Sequence, residues 1–491
     1  MPSPRRTRLL LAGILVASLA LRVAFISVSS PVDDAYITFR YAENLAGGHG
    51  FVYNPGEHVL GTTSPLFALL LAPFALAGLP PDAVALALAV LFDLGVCLLL
   101  FVLFRRGYGD ACGVAAAAMY GLCYAPAAAC GYGMETQLFM LLVVAGFVFV
   151  AARRWESAAG MAGLAVVTRP EGFLLAAIVG VALLSSASQR ARFARSLAVF
   201  VAVAGAWYFF AWLYFGSPIP NSVHAKLLQT GISTDQWAAF FIRRNAVIMM
   251  LWVLAMVGAV LGVRRRNDAA MLPAAWLVLY AAFFLAARPP FLGGWYFPPL
   301  VLALAPLAAL ASMAIATRIL RTPERALAAT LVAAAVLAVV VTPRSLASNR
   351  WNRHVAHAVF IPLATFVREH TTPESVVHAS DVGYVGYFSG RRILDGGALV
   401  SNDVQDFHAR HGRAAGWDID LVLERRPDVV VLPVRGDVYR RFAQSAFAAT
   451  YEPAARFQAD GETDLHPPLD ITDRYSADAR FVADYIVYTR R

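Results

Sequence analysis

Apolar runs long enough to cross a bilayer, or nearly so, recur eleven times before residue 343, at about 9–29, 83–104, 111–130, 137–152, 157–168, 172–187, 196–215, 237–262, 270–287, 296–317 and 325–342. A helix needs about 20 apolar residues to cross a hydrocarbon core of ~30 Å, and a chain within that core must satisfy its own backbone. The pattern commits these 491 residues to a polytopic α-helical membrane fold. Composition agrees: 59% of residues are hydrophobic and 15% charged, where a soluble domain carries about 25% charge.

The net charge of +9 does not point to nucleic acid, because the basic residues gather in short loops between the apolar runs. Arg5, Arg6 and Arg8 precede the first run, which lacks a small-residue cleavage site and reads as an uncleaved span. With a cytoplasmic N-terminus the inner loops hold Arg105/Arg106, Arg153/Arg154, Arg190/Arg192/Arg195, Arg264/Arg265/Arg266 and Arg318/Arg321/Arg325. The outer loops hold only Arg40, Arg169, Lys226 and Arg288, with Arg243/Arg244 near a helix start, so the positive-inside rule is obeyed. An odd number of spans then places residues 343–491 outside. Residues 1–342 form the membrane module, with a first outer loop at 30–82 that contains an interfacial apolar helix over Ser64–Leu79, broken by Pro73. The tail at 343–491 reads as an extracytoplasmic α/β domain, with a helix over Phe360–Glu369 and strands over Val376–Ala379, Val429–Leu432 and Phe481–Tyr488.

Within this frame the polar residues are few and grouped. Asp33 and Asp34 open the most polar stretch of the first hundred residues, directly after the first span. An aspartate there is explained by capping or by the helix dipole; a pair beside a hydrophobic wall is not, and one of the two, with Asp33 favoured, is the candidate general base. Arg40 follows on the same helical run. Glu135 lies in Gly133-Met134-Glu135-Thr136 at the outer end of the third span. Arg169 and Glu171 lie in Thr168-Arg169-Pro170-Glu171-Gly172, a charged turn between two short apolar runs, which reads as sunk below the membrane surface and lining a cavity. These two either pair with each other or leave Arg169 as an anion ligand. Asn221, His224 and Lys226 fall in one outer loop, and Lys226 is the only lysine in a chain otherwise biased to arginine. Arg288 precedes Trp295 and Tyr296, aromatics of the interfacial belt.

Other chemistries lack their signatures. There is no Walker loop, dinucleotide fingerprint, HExxH or CxxC. Cys97, Cys112, Cys123 and Cys130 lie in or beside apolar segments and imply no disulfide framework, and the pairs His354/His357 and His408/His411 read as surface histidines. A transporter would need polar groups through the full membrane depth, whereas these crowd on the outer side.

The ordered set of Asp33-Asp34-Ala35-Tyr36-Ile37, Gly133-Met134-Glu135-Thr136, Thr168-Arg169-Pro170-Glu171-Gly172, Pro220-Asn221-Ser222 with Lys226, and in the tail Asp381-Val382-Gly383-Tyr384 and Asp395-Gly396 resembles the bacterial GT-C glycosyltransferases. Within them it looks most like the arabinofuranosyltransferase branch. The resemblance implies a bacterial inner-membrane enzyme with a polyprenyl-phosphate sugar as donor, and a glycan, lipid or protein acceptor on the outer face. It implies Asp33 or Asp34 at the catalytic centre, and the loop residues Lys226, His224, Asn221, Arg169, Glu171, Arg288, Arg40, Glu135 and Tyr296 are then the candidates to meet the donor phosphate and sugar. It names no cofactor and leaves the divalent-metal requirement and the sugar open between arabinofuranose, mannose and others.

Overall fold

A computed structural model describes residues 3–185, 187–227, 231–290, 292–411, 419–434, 442, 446–459 and 484–491. The chain is a polytopic helical membrane protein arranged in two compact units. The first comprises Met1–Val28, Ala85–Tyr208 and Ile232–Leu346; the second comprises Ser29–Val84, Phe209–Gly231 and Ala347–Arg491.

Among the described residues, seven helices are long and apolar enough to cross a membrane: Pro4–Ile26, Pro81–Tyr108, Ser188–Phe215, Ala246–Arg265, Asp268–Ala287, Gly294–Leu320 and Pro323–Glu369. The run expected over 111–130 is instead two pieces, Asp110–Gly121 and Tyr124–Tyr132, bent by 51° and counting as an eighth span if taken together. Pro126 stands in the first turn of the second piece, where its missing N–H costs nothing, but continuing the first helix through it would lose a backbone bond. The runs expected over 137–152, 157–168 and 172–187 form the helices Thr136–Ala151, Trp155–Thr168 and Gly172–Ser185. The last two, with 14 residues each, reach ~21 Å at 1.5 Å per residue, short of the ~30 Å core. The count of eleven spans therefore included helices that do not cross by length alone.

The centre of the first unit is the helix Pro298–Leu320, buried without interruption from Pro298 through Ala311. It packs against Ala246–Arg265 and Asp110–Gly121. Burial on every side explains why its sequence shows no polar stripe. Close approach depends on small residues: a Cβ added to Gly258 would lie 2.1 Å from the Leu307 carbonyl oxygen. Gly258→Val is accordingly expected to lower stability by about 1–3 kcal/mol or more, read as a lower unfolding midpoint in detergent; an unchanged midpoint would refute this packing.

The same unit buries an ion pair that the sequence reading passed over. Arg22 and Asp93, both fully inaccessible, lie 2.6 Å apart. Tyr120 donates to Asp93 at 2.5 Å, and Arg22 also donates to the carbonyls of Ser18 and Gly121. Three helices are thereby joined, and each charge has the partners that a low-dielectric site demands.

In the second unit five strands form one sheet. They are β1 (Val376–Ala379), β2 (Arg392–Asp395), β3 (Val429–Pro433), β4 (Tyr451–Gln458) and β5 (Asp484–Arg490), in the order β2-β1-β3-β5-β4. β1 runs parallel to β2 and β3, placing Val377 opposite Ile393 and Val429. β5 runs antiparallel to β3 and β4, placing Val487 opposite Val431 and Ala455. Val377 of β1 and the valines of β3 are buried, as the inner strands of such a sheet are. β1, β3 and β5 fall on the three strands expected from sequence, although positions 481–483 of the last lie outside the described residues. β2 and β4 were not anticipated; β4 shows exposed Glu452 and Pro453 instead of a clean alternation. His408 is buried and not at the surface as expected, because helix Asn402–His411 turns Val404, Phe407 and His408 inward on one face.

Candidate functional site

Two charged clusters stand out, one in each unit. In the second unit Asp33 and Asp34 open helix Asp33–Ala46, whose N-cap is Val32 and makes no side-chain cap bond. The expectation that one aspartate caps its own helix is therefore corrected: Asp33 reaches across to cap a different one. The Gly383 N–H donates to Asp33 Oδ2 at 3.0 Å and the Tyr384 N–H to Oδ1 at 2.8 Å, both from the first turn of helix Val382–Ser389. Only glycine permits this approach, since a Cβ at Gly383 would fall 1.8 Å from the Asp33 carbonyl oxygen, and one at Gly386 would fall 1.8 Å from the Tyr53 hydroxyl. The Tyr384 hydroxyl returns a bond to the Pro31 carbonyl at 2.5 Å. Its ring lies 4.6 Å from that of Tyr36 and stacks on Phe360 at 5.2 Å.

Burial and the negative charges of Asp381 and Asp34 push the Asp33 carboxyl well above the usual carboxylate range, against the pull of the two amides. Asp381 accepts from the Tyr485 hydroxyl at 2.7 Å. Asp34, beside Asp33, is exposed. A carboxylate carries about four acceptor positions, so Asp33 is held by two amides with positions left for a substrate hydroxyl. That arrangement suits general-base work, which is most efficient when the base titrates near the working pH.

Asp395, in the tail motif, is fully buried and accepts from the amides of Gly397, Leu399 and Val400. Burial pushes its carboxyl up to about 6, against an ordinary value of about 4. Between those values the folded state holds a proton that the unfolded chain has released. The stabilisation from this group is therefore complete below pH ~4 and lost as pH rises through ~6, on the order of 1.4 kcal/mol per pH unit. Asp395→Asn is expected to abolish this component: the pH 4 to pH 6 drop in unfolding midpoint should be smaller in the variant than in the parent, and equal drops would contradict it.

Arg40 has another task than the one expected. It donates to the carbonyls of Tyr53 at 2.8 Å, Gly386 at 2.6 Å and Arg391 at 2.8 Å, and to Asn54 at 3.4 Å, with its guanidinium 4.4 Å over the Tyr53 ring. Buried, with four of its five N–H donors used, it ties the first outer loop to the tail. Asn54 pairs in both directions with the backbone of Ile393, each bond 3.0 Å. Asn221 is likewise committed: it is buried, its amide donates to Asn402 at 2.7 Å, and its backbone N–H donates to Leu60. His224 is exposed on the following turn. Lys226 lies in helix Asn221–Leu227, with its side chain outside what is described.

In the first unit the charged turn is buried as expected, and it resolves into a triad. Pro170 bars Arg169 from the helical region, and Arg169 duly ends helix Trp155–Thr168 in an extended conformation. Gly172 closes the turn, since a Cβ there would sit 2.3 Å from the Ala165–Val166 peptide. Arg169 is thereby aimed at Glu171, at 2.8 and 3.3 Å, and at Glu135, at 3.0 Å. The guanidinium carbon lies 5.2 Å from the Tyr296 ring and 5.7 Å from the Phe139 ring, and Tyr280 donates to the Tyr296 carbonyl at 2.9 Å. All three charged residues are at most 4% exposed, so one positive charge is buried between two negative ones. Arg288 is exposed where it terminates helix Asp268–Ala287. Phe139 and Tyr280 were not anticipated, because aromatics inside apolar runs look like any other core residue.

Among the described residues no group of three or more His, Cys, Asp or Glu side chains is disposed to hold a metal ion.

Comparisons with known proteins fit this architecture. Residues 348–482 match a family described as a domain of unknown function, DUF8728. No curated protein matches the chain. Among solved structures, ArnT from Cupriavidus metallidurans bound to undecaprenyl phosphate is similar over 97% of both chains, with a TM-score of 0.63 at 14% identity. The same protein in its apo state aligns with a TM-score of 0.62, also at 14% identity and over 97% of both chains. The Archaeoglobus fulgidus oligosaccharyltransferase, in a complex with Zn and sulfate, aligns over 88% of this chain and 69% of its own, with a TM-score of 0.58 at 14% identity. The chain therefore shares its overall fold with these proteins.

Proposed function

We propose that this protein is a membrane glycosyltransferase that moves a sugar, arabinofuranose in the reading we favour, from a polyprenyl-phosphate carrier to an acceptor hydroxyl of a glycan, lipid or protein on the outer face of the inner membrane. The observation that carries the reading is Asp33: a half-buried carboxylate of raised basicity, oriented by two amides, directly after the first span. The undecaprenyl phosphate bound by the similar ArnT supports a carrier of that class.

In the proposed step Asp33 takes the proton of the acceptor hydroxyl as the acceptor oxygen bonds to the anomeric carbon. The bond from that carbon to the carrier phosphate breaks, and its electron pair leaves with the polyprenyl phosphate. Phosphate is a good leaving group, so the step requires cations more than a general acid. His224 and Lys226, on one outer segment of the same unit as Asp33, are the residues proposed to meet that charge. In this reading the N-terminus is cytoplasmic and residues 343–491 are extracytoplasmic.

The test is to incubate the purified protein in nanodiscs with a panel of polyprenyl-phosphate sugars and candidate acceptors, and to follow both free polyprenyl phosphate and glycosylated product. Production of both from one sugar supports the reading and names the sugar. Movement of an intact lipid-linked sugar between leaflets, with no cleavage of the sugar–phosphate bond, would replace the transferase by a flippase.

A further inference from the structure

The segment that matches a domain of unknown function supplies the groups that hold Asp33. Helix Val382–Ser389 is fastened to the acidic loop at five points. Gly383 and Tyr384 donate their amides to Asp33. Tyr384 donates its hydroxyl to Pro31, Tyr53 donates to the Val382 carbonyl at 2.7 Å, and Arg40 donates to the Gly386 carbonyl. Two glycines one helical turn apart provide the flat face on which this contact rests. Asp381 stands at the N-cap position of the same helix without making a cap bond, and it accepts a hydrogen bond from Tyr485, on β5. Two of the five bonds end on the Asp33 carboxylate, and the other three hold the helix against the loop on either side of it.

We propose that the tail is a working part of the transfer site: helix Val382–Ser389 fixes the Asp33 carboxylate through the amides of Gly383 and Tyr384, and Asp381 is a positioning residue whose negative charge acts on that carboxylate. The inference rests on the transferase reading above. Asp33 is faced by Asp34 from its own helix, by Asp381 from the tail, and by the phenols of Tyr36, Tyr53 and Tyr384. The phenols stay neutral at working pH, so Asp381 and Asp34 are the charges that oppose ionisation of Asp33, and Asp381 is the larger influence.

The experiment compares Asp381→Asn with Asp381→Glu and the parent. Asn keeps an acceptor for Tyr485 and removes the charge; Glu keeps the charge. With Asn, the acid limb of the kcat/KM profile is expected to move about one pH unit lower, the donor KM to stay within about twofold and the unfolding midpoint to hold. With Glu the limb stays with the parent. An Asn profile superimposable on the parent overturns the inference, as does a Glu variant that shifts equally. If Asp381→Asn does not fold, Asp381→Ser, which also offers Tyr485 an uncharged acceptor, takes the same measurement. A second readout needs no turnover: the infrared carboxyl band absent from Asp33→Asn should titrate at lower pH in Asp381→Asn than in the parent, and an unmoved band sinks the inference. Failure of the transferase reading looks different, since the parent would then release no polyprenyl phosphate from any lipid-linked sugar.

Discussion

Replacing Asp33 by Asn is expected to lower transfer from a polyprenyl-phosphate sugar by about 10²–10⁴-fold, the range that a positioned base contributes. Asn has nearly the same shape, and its Oδ1 can still accept from one of the two amides of helix Val382–Ser389. Its NH2 would face the other amide, so one hydrogen bond is lost, costing about 1–3 kcal/mol of stability. The fold should survive while turnover does not. Asp34→Asn, at an exposed position, is expected to cost less than about tenfold, because a solvated side chain is a weaker and less oriented base. Turnover of both variants, each checked by its unfolding midpoint, decides the matter. Full activity in Asp33→Asn with loss in Asp34→Asn would transfer the role of base to Asp34 and leave Asp33 as a cap for the tail helix.

The second large effect is on stability. Arg169→Leu leaves the carboxylates of Glu135 and Glu171, 3% and 4% exposed, without their cation. Removing one member of a buried ion pair costs about 3–5 kcal/mol, mostly because the remaining charge is stranded. The variant should therefore be poorly recovered or melt far below the parent, and its deficit should shrink at lower pH, where the stranded carboxylates can take up protons. Arg169→Lys should recover only part of the loss, because an ammonium cannot match the two-pronged contact with Glu171. If Arg169→Leu instead kept the parent's midpoint and lost only its affinity for a polyprenyl phosphate, the guanidinium would be an anion ligand and not the centre of an ion cluster.

What the sequence allowed to be read follows the distance over which each interaction acts. The helical membrane fold was legible because hydropathy is local and every span must satisfy its own backbone. The sunken turn at Arg169 was legible because Pro170 and Gly172 act on their immediate neighbours. The partner choice was not: Arg169 could as well have met an anion as Glu135, which is 34 residues away. Arg40 shows the same limit more sharply. It was placed at the donor with the other outer-loop residues, and its partners at Gly386 and Arg391 lie some 350 residues downstream. Arg22 and Asp93 were legible in principle, since an ionisable residue inside an apolar run rarely lacks a partner. They were absorbed into the length count of their spans. The link between Asp33 and the tail left one trace in the sequence, the i, i+3 glycines at 383 and 386, which describe a flat helical face without saying what lies on it.

Asn54 has a consequence for how the protein can be cut. By offering Ile393 both an acceptor and a donor, this one side chain imitates a neighbouring strand and occupies part of the free edge of β2. An unpaired edge strand is a template for association with another chain. A fragment that begins near residue 343 loses Asn54 with the rest of the first outer loop, and so uncovers an aggregation-prone edge at the moment it is freed from the membrane. The smallest portable form of the tail is therefore a fusion that carries Ser29–Val84 with it, and exchanges between relatives would need to move the two segments together.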